Sequence, residues 1–274
     1  MRERSLVAFT LLAQTAVGAF LTLCALDLWA ERLPGVPAAL VVPDWGFLAV
    51  AGLMGAALLV SLLHLGTPRI AWRAIANLRA SWLSREVLSA LLFAGCAALV
   101  AAHRWTGAPG AAVLGTALRI FAAASGVGLL LAMAGVYRLR TVPAWDTPWT
   151  VVSFCATASL LGALPVGAAL GLAPALPADL AAGPLKWIAA AGAAGFVAEI
   201  AGALGARRGP GALSRPAART VRLVLLAAGL VLCLPAILGL APAAACVAGA
   251  WCAALAAQVQ GRYTFYAEGL RRTL

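Results

Sequence analysis

The sequence predicts an all-α fold, a polytopic membrane helical bundle with eight transmembrane helices, and three observations predict it. Of 274 residues, 64% are hydrophobic and only 11% charged, with a mean hydropathy of +0.97. A soluble domain carries roughly 45–50% apolar and about 25% charged residues, and a globule of this composition would lack the polar residues to cover its surface. The apolar residues form long unbroken runs and aromatics make up only 7%, which favours helices over a membrane barrel. Finally, the basic residues collect in alternate gaps between the runs, the pattern of a multi-pass helical protein. A water-soluble enzyme, a secreted disulfide scaffold and a disordered chain are thereby excluded.

The spans fall at approximately 5–29, 45–65, 84–105, 110–136, 149–172, 185–205, 220–240 and 242–262, within one integral membrane domain over 1–274. Each is long enough to cross about 30 Å of hydrocarbon as a helix, the form that pairs every backbone group internally. The run after Met1-Arg-Glu-Arg4 is too long for the core of a cleaved signal and reads as the first span. Pro34, Pro37 and Pro43 mark the first gap, Pro68 the second, and Pro143 and Pro148 the fourth. Pro174, Pro177 and Pro184 mark the fifth and Gly209-Pro210-Gly211 the sixth, while Pro235 and Pro242 flank a short seventh. Abundant small residues suit close helix packing in lipid.

An even number of spans puts both termini on one side. That side collects sixteen arginines: Arg2, Arg4, Arg69, Arg73, Arg79, Arg85, Arg138, Arg140, Arg207, Arg208, Arg215, Arg219, Arg222, Arg262, Arg271 and Arg272. The other side holds Arg32, Arg104 and Lys186, and Arg119 falls inside the fourth span. The positive-inside rule makes the Arg-rich side cytoplasmic and the membrane the inner one. The net charge of +11 therefore reads as topology, with no nucleic-acid partner implied. The Arg-rich loops 69–85 and 207–222 are also expected to supply a docking surface for an acidic partner subunit. Cys24, Cys96, Cys155, Cys233, Cys246 and Cys252 form no CxxC or Cys/His group, so no bound metal is expected. Most tryptophans fall near span ends, as an interfacial belt.

Ionisable residues at membrane depth are functional leads by default. His64 closes the second span in Ser61-Leu-Leu-His64-Leu-Gly66-Thr-Pro68-Arg69, and Glu86 opens the third in Ser81-Trp-Leu-Ser84-Arg85-Glu86. Consecutive spans joined by a short gap are antiparallel, so His64 and Glu86 are expected to meet at the Arg-rich face. Such a pair suits acceptance of the two protons a quinol loses on oxidation. The blander readings are a Glu86 that favours its helix dipole and a His64 hydrogen-bonded to a loop carbonyl. Gln14 lies about 13 Å into the first span, as a headgroup contact or as interhelical glue. Glu199, in the sixth span, needs a partner or a proton. Asp27 and Arg119 are positioned to pair structurally. His64 and His103 fall on opposite sides and cannot share one iron, so no intrinsic haem is expected.

Three stretches resemble the anchor subunit family of dimethyl sulfoxide reductase. They are Phe9-Thr-Leu-Leu-Ala-Gln14; Leu63-His64-Leu-Gly66-Thr-Pro68-Arg69-Ile-Ala71 through Ser81-Trp-Leu-Ser84-Arg85-Glu86; and Val136-Tyr137 with Thr141-Val-Pro143-Ala-Trp145. Gly261-Arg262-Tyr263-Thr-Phe265-Tyr266 is a weaker echo. The resemblance implies a cofactor-free anchor that oxidises menaquinol, or ubiquinol. It implies two partners, a four-cluster ferredoxin-like iron–sulfur subunit and a molybdopterin catalytic subunit. It associates the quinol site with His64 and Glu86; Gln14 and Arg69 join it by topology. It also implies catalytic subunits on the outer face, against the charge count. The other readings are a proton-coupled small-solute transporter using Glu199, and an anchor passing electrons into quinone.

Overall fold

The computed structural model describes residues 2–62, 75–107, 112–142, 145–173, 176–205, 216–240 and 242–270. Among these residues ten α-helices follow one another: α1 (Arg2–Ala30), α2 (Ala38–Val41), α3 (Asp44–Leu62), α4 (Trp82–Thr106), α5 (Ala112–Tyr137), α6 (Pro148–Ala158), α7 (Leu164–Gly171), α8 (Ala178–Gly205), α9 (Pro216–Leu238) and α10 (Ala243–Leu270). A π-helical turn, Ser159–Ala163, joins α6 to α7. Counting α6 to α7 as one, eight helices among the described residues are long and apolar enough to cross a membrane, as the sequence predicts. The chain forms two compact units, Met1–Val136 and Tyr137–Leu274, with four spans each.

In the first unit α1 is the most enclosed span. Phe20, fully buried, meets Phe47 of α3 and Phe93 of α4 edge-on, with ring centroids 5.7 and 5.6 Å apart. Edge-on aromatic pairs add roughly 0.5–1.5 kcal/mol each beyond area burial. Antiparallel α4 and α5 approach through glycines. A Cβ on Gly115 would sit 2.5 Å from His103, and one on Gly135 would sit 2.5 Å from Trp82. Small residues at the seam let backbones close to a distance at which dispersion holds helices in lipid.

A buried ion cluster closes the end of this unit away from the α3–α4 connection. Asp27, 1% exposed, accepts from Arg104 Nη1 at 2.8 Å and from Arg119 Nη1. Arg104 also donates to Asp44 Oδ1 at 3.0 Å and to the Val42 carbonyl at 2.9 Å. The expected Asp27–Arg119 pair is therefore one arm of a larger cluster tying α1, α3, α4 and α5.

The second unit departs from several expected boundaries. Pro184 lies inside α8, which starts at Ala178 and not after that proline. Alanine and leucine carry the helix up to it, and the Ala181 N–H already reaches the Pro177 carbonyl at 3.1 Å. Pro235 lies inside α9, within the expected seventh span. That helix stops at Gly239, whose φ of 72° suits glycine. There Leu240 N–H reaches the Pro235 carbonyl at 2.7 Å and Gly239 N–H the Ala236 carbonyl at 3.3 Å, the two bonds of a Schellman motif. The π turn precedes Pro165, which has no N–H and whose ring would strike the carbonyl four residues back. The helix widens there and continues. α10 runs eight residues beyond its expected end.

Substituting Asp27 with Ala leaves two guanidinium groups facing each other in a low-dielectric site. The expected cost is about 3–5 kcal/mol, read as a lower melting temperature of the purified chain, whereas Glu31→Ala, at a half-exposed site, should move it little.

Candidate functional site

At the start of α4, Ser81 caps the helix, its hydroxyl accepting from Ser84 N–H at 3.2 Å. One orphan amide of the first turn thus has a partner that is not Glu86. Glu86 sits one turn further in, beyond the reach of the strongest dipole effect. The residue is 5% exposed, and no hydrogen bond or ion pair reaches its carboxyl among the described residues. The residues around it are fixed. Trp82 lies against Gly135, and the Arg85 guanidinium covers the Trp82 ring at 4.4 Å. Arg85 also folds back to the Leu78 and Arg79 carbonyls at 2.9 and 2.8 Å. Arg85 is thus committed to its own loop.

Gln14, fully buried in α1, comes to the same depth. α1 and α4, the first and third spans, run in the same direction, and their Phe20 and Phe93 rings meet. Glu86 precedes Phe93 by about 10 Å of helix and Gln14 precedes Phe20 by about 9 Å. His64 and Arg69 lie outside the described residues; α3 is described as far as Leu62.

The second unit holds a polar network of its own. Glu199 of α8, 3% exposed, accepts from Ser153 Oγ of α6 at 2.7 Å and from Arg222 Nη2 of α9 at 2.6 Å. The Arg222 guanidinium lies flat on α10 at Gly261, where a Cβ would come within 2.7 Å of it. One turn along α6, the Thr157 hydroxyl lies 2.7 Å from the Ser153 carbonyl and 3.0 Å from Gln258 Oε1. Thr157 also accepts from Arg262 Nη2 at 3.3 Å. Arg262 is 3% exposed, and its guanidinium stands 3.8 Å over the Phe154 ring. Two expectations change here. Arg222 and Arg262 are not surface charges of the Arg-rich side: each is engaged within the unit, because Glu199, Thr157 and Phe154 offer partners that lipid does not. Of the expected docking loops 69–85 and 207–222, residues 69–74 and 207–215 lie outside the described residues, and Arg222 is withdrawn from the docking surface.

Sequence reasoning singled out Glu199 but not its partners. The signal was present as polar residues one helical turn apart, Ser153 with Thr157 and Gln258 with Arg262, in spans where such residues are otherwise rare. Among the described residues no group of three His, Cys, Asp or Glu side chains is placed to hold a metal. His103, half-buried, packs against Gly115.

The model of the DMSO reductase anchor subunit (DmsC) family matches residues 1–203. The chain belongs to this anchor family. Among its relatives, anaerobic dimethyl sulfoxide reductase chain YnfH of Escherichia coli (strain K12) is 32% identical over 168 residues, 61% of this chain and 57% of that one. An anaerobic dimethyl sulfoxide reductase chain of Haemophilus influenzae is 30% identical over 168 residues, 61% of this chain and 58% of that one. A sulfite dehydrogenase subunit of Allochromatium vinosum is 36% identical over 127 residues, 39% of this chain and 38% of that one. The match thus spans little more than half the length of the two reductase chains. No solved structure matches. As a member of this family, with eight apolar helices among the described residues, the chain is a multi-pass membrane protein. The family match contains Gln14, His64, Arg69, Glu86 and Glu199 but ends before Arg222, Gln258 and Arg262.

The Glu199 network has a direct test. Glu199→Ala strands the Arg222 guanidinium and should cost about 3–5 kcal/mol, seen as a lower thermal midpoint in detergent. Replacing both together, Glu199→Leu with Arg222→Met, should restore most of that loss.

Proposed function

We propose that the chain is the quinol-oxidising anchor of a membrane oxidoreductase complex. It takes electrons from menaquinol or ubiquinol and passes them to a docked iron–sulfur subunit, which feeds a molybdopterin subunit. Glu86 carries this reading. A carboxyl kept at depth without a partner among the described residues is costly for a structural role alone. The buried acids Asp27 and Glu199 are each paired with arginine, and Glu86 stands apart from them.

Oxidation of one quinol releases two protons and two electrons. Quinol enters laterally from the bilayer into the first unit, at the α4 end that carries Glu86. The His64 imidazole hydrogen-bonds one ring hydroxyl and accepts its proton, and the Glu86 carboxylate accepts or relays the other. Arg69 stabilises the negative charge that develops on the ring oxygen. Gln14, level with Glu86, offers an amide to the headgroup. Both electrons leave to the iron–sulfur subunit. The protein needs no haem for this, because the two histidines lie on opposite sides of the membrane by span order and the clusters belong to the partner. Membership of an anchor family supports this reading over a solute carrier. The names of the relatives include both a reductase and a dehydrogenase, which favours one second reading: the same site run toward quinone reduction.

The site residues are tested in washed membranes carrying the whole complex, by quinol-analogue oxidation coupled to the terminal acceptor. His64→Ala and Glu86→Gln should each lower turnover by about 10²-fold or more with the anchor's abundance unchanged, and Glu86→Asp should retain part of it. Turnover kept in both variants contradicts the assignment. The proposed topology, inner membrane with termini in the cytoplasm, predicts that a C-terminal fluorescent-protein fusion is bright and an alkaline phosphatase fusion inactive.

A further inference from the structure

We propose that residues 138–142, which follow α5, form a docking site for the iron–sulfur subunit, with Leu139 and Arg140 as its contact residues. The inference rests on the partner assigned above and names the surface that meets it. By span order the loop opens on the Arg-rich side.

The described residues on this loop are held in place by hydrogen bonds and ring contacts. Its backbone turns on itself through Leu139 N–H to the Tyr137 carbonyl (2.9 Å), Val142 N–H to Leu139 (2.9 Å), Trp145 N–H to Val142 (2.9 Å) and Thr147 N–H to Trp145 (2.9 Å). Below it lies an aromatic base. Trp145 stacks on Phe265 of α10 at 5.1 Å and an interplanar angle of 17°, and its Nε1–H donates to the Phe265 carbonyl at 2.9 Å. Tyr137 meets the Trp145 ring edge-on at 5.6 Å, and its hydroxyl accepts from Tyr266 at 3.1 Å. Val142 is buried.

This base holds four consecutive residues, Arg138 to Thr141, out to the surface. Arg138 is partly balanced by Asp146 across the loop, at 3.4 Å. Arg140 meets no hydrogen bond or ion pair among the described residues. Leu139, between the two arginines, is 44% exposed. An outward leucine beside an unbalanced guanidinium, on a segment held by its own hydrogen bonds, forms no bond or ion pair within the described residues that would account for it. A partner gains from it, since ordering such a loop in advance removes the entropy cost of docking. The chemistry that fits is an acidic rim around an apolar recess: the recess takes Leu139, and carboxylates take the planar guanidinium of Arg140 in two-point bonds. Acidic lipid headgroups also attract arginine. They are mobile and ask for no fixed loop geometry, so the rigid base favours the protein partner.

The test uses membranes carrying the anchor with its iron–sulfur and molybdopterin subunits. Membranes are washed at increasing potassium chloride, and the reduced iron–sulfur EPR signal retained per anchor is recorded. Arg140→Glu and Leu139→Asp should each lower the salt concentration that strips half the signal to about a third or less of the wild-type value. Arg140→Lys, which keeps the charge, should fall between. Normalising to the anchor keeps the readout valid if a variant is less abundant. Wild-type salt resistance in both Arg140→Glu and Leu139→Asp overturns the inference. That holds even where Arg140→Glu weakens binding of the anchor to phosphatidylglycerol vesicles, since the loop would then meet lipid. A wild-type anchor that retains no iron–sulfur signal at any salt instead overturns the partner assignment on which the inference depends.

Discussion

Hydrocarbon penalises any charge it cannot neutralise, and the arrangement of both units follows from how they meet that constraint. In the first unit Asp27 is placed where two arginines from neighbouring helices converge on it. In the second, Glu199 is held by Arg222 and Ser153. Breaking either cluster would strand a charge in a medium where solvation by water is absent, so these contacts specify which helices are neighbours more strongly than apolar packing, which lipid tails match almost equally well. Glu86 breaks the pattern. It is as buried as the other two acids and has no arginine against it among the described residues. Among the described residues Asp27 and Glu199 are paired with arginine and Glu86 is not, and the proposed quinol site rests on that difference.

Close packing is the second means by which the units are held. In the first, α4 and α5 meet along Gly115, Gly126 and Gly135, with His103, Phe93 and Trp82 filling the space that side chains on α5 would take. Trp82 is one turn before Glu86, so the seam that brings the helices together also fixes the wall beside the candidate site. Ser81 caps the helix, and Arg85 is spent on loop carbonyls and the Trp82 ring. The carboxyl is therefore presented from a rigid helix and not from a loop, as a proton-accepting group needs for a fixed distance to its substrate.

The eight spans were legible because hydropathy and loop charge agree: a miscounted span would have scattered the arginines across both sides. The Asp27–Arg119 pair was legible as two opposite charges at one depth. What sequence pattern misread were groups whose partners come from distant helices. Arg222 and Arg262 resemble the flanking arginines of a span end, and only the approach of α6, α8 and α10 makes them interior. Pro184 resembles a span boundary, but a proline does not end a helix when the residues on both sides favour it and packing holds it. The π turn before Pro165 has no signature in apolar periodicity. Gln14 and Glu86 were legible as polar residues at depth, and their common level came from the Phe20–Phe93 contact.

Quinol binding in the first unit, at the start of α4, is tested most directly by photo-crosslinking an azido-quinone to the complex in native membranes, followed by peptide mapping. Label on the α1 segment around Gln14 and on 63–90, displaced by excess quinol analogue and lost in Glu86→Gln, is the predicted result. Displaceable label confined to α6, α8, α9 and α10 would contradict the account and move the site to the Glu199 network.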